Sequence, residues 1–142
     1  MLVGAACSGS DDPVDLKDAV KVDKGDIGQC LLFDEAIGDT VQKLPYIDCT
    51  EAHTHEIYAV LTYEPDVVYP GFGDLEDEAR TYCLEQFEDY VGRSAFDSSL
   101  FHSWMVPTLD GWNDKDVEDR STVCVLGAPG STLSETMKGK NR

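Results

Sequence analysis

Asp74-Leu75-Glu76-Asp77-Glu78-Ala79-Arg80-Thr81-Tyr82-Cys83-Leu84-Glu85-Gln86-Phe87-Glu88-Asp89-Tyr90-Val91-Gly92 is the stretch on which the fold turns. Leu75, Ala79, Tyr82, Cys83, Phe87, Tyr90 and Val91 recur at helical spacing and line up on one apolar face. Asp74 is the expected N-cap, and Glu76, Asp77 and Glu78 stand in the first turn, where the helix dipole favours acids. Gly92 supplies the stop. A helix with a single apolar face must cover something, and the flanking sequence offers strands.

Working outward, Glu56-Ile57-Tyr58-Ala59-Val60-Leu61-Thr62-Tyr63 is the strongest strand candidate, rich in branched and aromatic residues. Pro65 to Gly73 reads as a loop with Pro70-Gly71 as its turn signal. Gln29 to Phe33 and Leu44 to Cys49 are shorter strands, separated by an acidic turn from Asp34 to Thr40. Phe101 to Val106 is another strand, ended by Pro107, and Thr122 to Leu126 is a last, apolar one. Leu109 to Asp119 reads as a polar loop around Trp112, and a Gly-, Ser- and Thr-rich tail follows Gly127. The expected fold is α+β: a small, mostly antiparallel sheet packed by one main helix and held by two disulfides. There is no internal repeat.

The cysteines indicate the compartment. Of five, Cys7 stands apart, and Cys30, Cys49, Cys83 and Cys124 form an even set without a C-x-x-C pair. Four such cysteines in a small domain fit two disulfides and an oxidising location. Three connectivities are open. Strand and helix placement favours Cys30–Cys49, tying the first two strands, and Cys83–Cys124, pinning the helix to the last strand. Each is worth about 2–4 kcal/mol.

Met1-Leu2-Val3-Gly4-Ala5-Ala6-Cys7 runs apolar into a cysteine, then turns acidic at Asp11-Asp12. The run resembles the lipobox of bacterial lipoproteins, with Ala5 and Ala6 matching and Gly4 departing from the usual branched residue. Residues 1–7 are therefore read as the remnant of a lipoprotein signal segment, with Cys7 as lipid acceptor. Residues 8–26 read as a flexible tether with Val14, Leu16 and Val20 as apolar interruptions. The folded domain is expected over residues 27–138. No stretch approaches the roughly 18 apolar residues of a membrane helix, so the membrane is met through lipid alone.

The formal net charge of −17, from 28 acidic and 11 basic residues, removes nucleic acid and anionic lipid surfaces as direct partners. Cys49-Thr50-Glu51-Ala52-His53-Thr54-His55-Glu56 is the most chemical-looking stretch. In an extended chain His53 and His55 share a face and Glu56 lies beside them. Zinc takes three or four protein ligands, and only His102 remains among the histidines, so no metal and no cofactor are expected. The alternative role for His53 is hydrogen bonding to a carboxylate at a strand start. No G-x-S-x-G elbow is present, and no catalytic residue is assigned. The acids of Asp110 to Asp119 lack the order of an EF-hand loop. Trp104 and Trp112 flank Pro107-Thr108 and are candidates for either a recognition platform or core plugs. His53, Glu56, Trp104 and Trp112 are thus the candidate binding residues.

In order along the chain, Gly28-Gln29-Cys30, Ile47-Asp48-Cys49-Thr50-Glu51-Ala52-His53, Glu56-Ile57, Tyr69-Pro70-Gly71, Cys83 with Tyr90, Pro107-Thr108, Trp112, Asp119-Arg120 and Val123-Cys124 resemble the motifs of the septum-formation-related domain, found in envelope proteins of high-GC Gram-positive bacteria. Ala52 stands where that family has Pro before the histidine, and His55 has no counterpart. The resemblance implies an envelope location and involvement in septum formation or the cell wall, and supplies no catalytic residue. The expectation is a non-enzymatic, lipid-anchored, extracytoplasmic domain that binds an envelope protein or cell-wall component. The competing expectation is a metal-dependent or hydrolytic enzyme centred on His53 and His55.

Overall fold

The apolar run at 56–63 becomes the middle strand of an antiparallel sheet. In the computed structural model, which describes residues 22–33 and 44–142, the strands are β1 (Cys30–Leu31), β2 (Tyr46–Ile47), β3 (His55–Thr62), β4 (Phe101–Met105) and β5 (Ser121–Gly127). Their order across the sheet is β2-β1-β3-β5-β4, every pair antiparallel. The α1 helix (Phe72–Val91) covers one face, and a short α2 helix (Leu109–Asn113) sits between β4 and β5. The α+β reading with one main helix holds.

β3 is buried from Glu56 to Val60 because both of its faces are covered. Its register against β5 slips between Ile57 and Ala59. That irregularity lets Tyr58 and Ala59 both join the helix-side core with Cys83, Phe87, Val91, Cys124 and Leu126. Ile57 and Val60 belong to a second core with Val22, Leu31, Leu44, Val123 and Val125. Gly127, opposite Phe101, is a forced choice: an added Cβ would lie 2.4 Å from the Thr54 carbonyl oxygen.

Leu75, Ala79, Cys83, Phe87 and Val91 of α1 are buried, with Tyr82 and Tyr90 half-buried, as the spacing predicts. Gly92 closes the helix in the left-handed conformation, its N–H donating to the Glu88 carbonyl. The start differs. Gly71 is the N-cap and Asp74 falls inside the first turn, because Leu75 N–H already bonds back to the Gly71 carbonyl. Both disulfides form as placed, Cys30–Cys49 and Cys83–Cys124.

Two further differences concern loops. The polar segment at 109–119 contains α2, whose N-cap Thr108 accepts from Gly111 N–H at 3.0 Å. Asp114 then caps the following turn, accepting from Asp116 N–H and Val117 N–H. The tail is fixed in place: Leu133 exchanges both backbone hydrogen bonds with His53, and Gly139 and Asn141 donate to the Tyr90 and Val91 carbonyls. Packing continues to Arg142, whose carbonyl accepts from Ser99 N–H, beyond the expected boundary at 138. At the other end Val22 is buried, while Asp23 caps a 3-10 turn at Lys24–Asp26 that buries no residue. Cys7, residues 1–21 and the Asp34–Thr40 turn lie outside the described residues.

Candidate functional site

Cys30 and Glu56 face each other across β1 and β3, and His53 joins them on the helix side of the sheet. All three are fully buried, with one ligand-type atom from each within 4.8 Å of the others. The Cys30 sulfur is tied up in the disulfide to Cys49, a half-buried residue that is not one of the three. His53 Nδ1 lies 2.8 Å from the Glu51 carbonyl oxygen. A carbonyl only accepts, so Nδ1 is the donor in this contact, and Nε2 is the ring's other nitrogen. That Nε2 is buried and has no hydrogen-bond partner among the described residues.

Glu56 is held differently. Its Oε2 accepts from the Tyr90 hydroxyl and, at 2.7 Å, from Thr136 Oγ1; its Oε1 accepts from Met137 N–H at 2.9 Å. Helix, sheet and tail therefore meet on one carboxylate. Three donors occupy three of about four acceptor positions, which is how a charge is kept out of water at tolerable cost.

His55 does not share this environment. It lies opposite Leu31, on the other side of the sheet from Glu56, and its ring is wedged edge-on between Phe33 and Phe101 at 5.2 and 5.4 Å. The expectation that His53 and His55 share a face fails, because His53 precedes the regular strand and pairs with Leu133 instead. Burial lowers the pKa of His55, and likewise that of His102, whose ring sits between Phe87 and Trp104.

The tryptophans separate. Trp104 is half-buried, donates to Glu76 on α1 at 2.7 Å and lies under Arg80. Trp112 is a core plug at 1% exposure: its Nε1 donates to the Val67 carbonyl, and its ring touches Tyr63 and Tyr69, each at 5.5 Å. The Arg120 guanidinium stacks over Trp112 at 4.3 Å and donates to the carbonyls of Pro65, Val67 and Trp112. With the Tyr69 hydroxyl donating to the Pro107 carbonyl, this clasp ties the 65–71 loop to α2. Apolar side chains stand exposed on the tied segments, Val68 at 83% and Leu109 at 52%, and at the adjoining start of α1, Phe72 at 61%. Of the four candidate binding residues, His53, Glu56 and Trp112 are enclosed; Trp104 alone meets solvent. Sequence reasoning missed Arg120 as a clasp and Thr136 and Met137 as ligands of Glu56. Only Asp119-Arg120, as a family-like pair, hinted at the first.

A family profile described as septum formation matches residues 12–134. No curated protein and no solved structure matches the chain.

Proposed function

From the premise that the chain belongs to the septum-formation family, we propose that it is a non-enzymatic, lipid-anchored domain that binds another envelope component. Its two disulfides fit a compartment outside the cytoplasm. The anchoring part of the proposal rests on the lipobox-like run ending at Cys7. Metabolic labelling with a lipid precursor should mark the full chain and lose the mark in Cys7→Ser.

The observation that carries the binding role is the exposure of Val68 and Leu109 on the loop and helix that Trp112, Tyr69 and Arg120 tie together, with Phe72 exposed at the adjoining start of α1. Exposed apolar side chains on a chain of net charge −17 suit a partner that is apolar at the contact and basic around it. The enclosure of His53 and Glu56 supports the non-enzymatic part, since a substrate has no access to either side chain.

A photo-crosslinker at position 68 in living cells tests the reading. The expected result is one envelope protein or wall fragment enriched over the same crosslinker at position 89, on the exposed side of α1. Recovery of bulk lipid alone, or identical products from both positions, defeats it.

A further inference from the structure

Among the described residues β4 is an open edge of the sheet, with β5 as its one neighbour. Tyr63 N–H donates to the Arg120 carbonyl, one step beyond the Thr62–Ser121 pair of β3 and β5. Peptide groups alternate in direction along a strand, so Thr122 and Cys124 direct theirs to β3, and Val123, Val125 and Gly127 direct theirs to β4. Opposite those three stand Met105, Ser103 and Phe101. The N–H and C=O groups of His102 and Trp104 therefore point outward, and no described residue hydrogen-bonds to them.

Sheet edges are commonly guarded by charge, proline, a bulge or brevity. The opposite edge, β2, is two residues long. Phe101-His102-Ser103-Trp104-Met105 carries no Lys, acid or proline, keeps an unbroken register with β5 and is half-buried throughout. We propose that the outer edge of β4, at His102 and Trp104, accepts an extended segment of a partner protein, rich in basic and apolar residues, as an added strand of the sheet.

The outward donors and acceptors repeat at strand spacing, and another extended backbone matches them. Trp104 stands half-exposed beside the edge, its indole held by Glu76 of α1 and lying under Arg80. A fixed aromatic ring favours an apolar neighbour across the strands. Arg80 pairs with Asp77, whereas Glu76 has no cationic partner among the described residues. That local excess of acid, on a chain of net charge −17, calls for basic residues in the added segment. A second copy of the chain brings the same charge and is repelled. The edge is continuous with the exposed apolar group: Leu109 follows β4, and Phe72 precedes Glu76 by one turn of α1. The proposal rests on the reading that the domain binds an envelope protein, and it adds how that protein is held.

The probe is a phage-displayed library of random heptapeptides, panned against the full chain, with the enriched peptides then synthesised. His102→Pro removes the outward N–H at a position where an edge strand tolerates proline; His102→Ala removes the same imidazole and keeps the N–H. Enriched peptides should combine apolar with basic residues and bind His102→Pro about tenfold or more weakly than His102→Ala. In the wild-type chain the amides of His102 and Trp104 should exchange fast when free and slowly with peptide bound. No enrichment, equal binding to the two variants, or unchanged exchange at these two amides overturns the proposal. Slow exchange there in the free chain overturns it as well, since a second copy or the chain's own residues then cover the edge. The exchange readout decides even where His102→Pro fails to fold. A partner crosslinked at position 68 alongside any of these failures removes the added strand and leaves the binding role standing.

Discussion

The Tyr90 hydroxyl, near the end of α1, donates to the buried carboxylate of Glu56 on β3. Burial, and then the carboxylate itself, hold the Tyr90 pKa far above its usual value, so the phenol remains a donor. The same carboxylate accepts from Thr136 and Met137, so a single side chain fastens helix and tail to the middle strand. Fixing three separate segments through one charge makes the arrangement cooperative: losing any donor raises the cost of the others.

Tyr90→Phe removes one hydrogen bond to a charged acceptor and should cost about 1.5–3 kcal/mol in denaturant unfolding. Glu56→Ala should cost more, because it strands the Tyr90 and Thr136 hydroxyls and the Met137 N–H in the interior. Hydrogen exchange should show the tail from Leu133 opening before the sheet in both variants. If Tyr90→Phe is neutral and tail protection is unchanged, the carboxylate is not the fastener.

The two disulfides should respond to reductant in order. Cys49 is half-buried, whereas Cys83 and Cys124 lie wholly in the helix-side core. Accessible sulfur is attacked first, so Cys30–Cys49 should open at reductant concentrations that leave Cys83–Cys124 intact. Chain entropy assigns the larger stabilisation to the wider loop, about 4 kcal/mol for a separation of 41 residues against about 3 for 19. Timed alkylation with mass analysis reads the order; simultaneous release of all four thiols contradicts it.

Much of this frame was legible in the chain. Leu75 through Val91 report their face by period, and the β-rich run at 56–63 announces the central strand. Once those are placed, Cys83 has Cys124 as its natural neighbour. What the sequence concealed is long-range. Nothing local tells Thr136 that Glu56 lies opposite, eighty positions away. Strand alternation put His53 beside His55, but alternation holds only inside a strand, and His53 stands outside it, paired with Leu133. The polarity of 109–119 hid α2 because short capped helices carry little periodic signal.

Arg120 tests the second clasp. Its guanidinium stacks on Trp112 while both terminal nitrogens donate to backbone carbonyls, a combination that an ammonium does not reproduce. Arg120→Lys should cost about 1–2 kcal/mol despite keeping the charge. Trp112→Ala, which empties a buried ring site, should cost about 3–5 kcal/mol. Both should raise the mobility of the loop carrying Val68, seen as faster exchange at its amides. Wild-type exchange in Arg120→Lys would mean that the stacking holds nothing in place.

Asp119 gives the fold a pH dependence of unusual sign. Burial pushes its carboxyl up to about 6 from an ordinary 3.8, a rise only partly opposed by the hydrogen bond from Ser121 N–H. Between those values the folded chain binds more protons at this site than the unfolded chain does. Stability from this group is therefore full at low pH and falls as pH rises through about 4 to 6, staying reduced above. Asp119→Asn keeps an acceptor for Ser121 but no longer titrates. The variant should gain on wild type by on the order of 2 kcal/mol between pH 4 and pH 7. Urea unfolding of both proteins at four pH values across that window gives the difference curve. A flat curve, or one rising the other way, would mean that the carboxylate finds compensation in the folded state that its burial beside Gly111 and Tyr69 does not suggest.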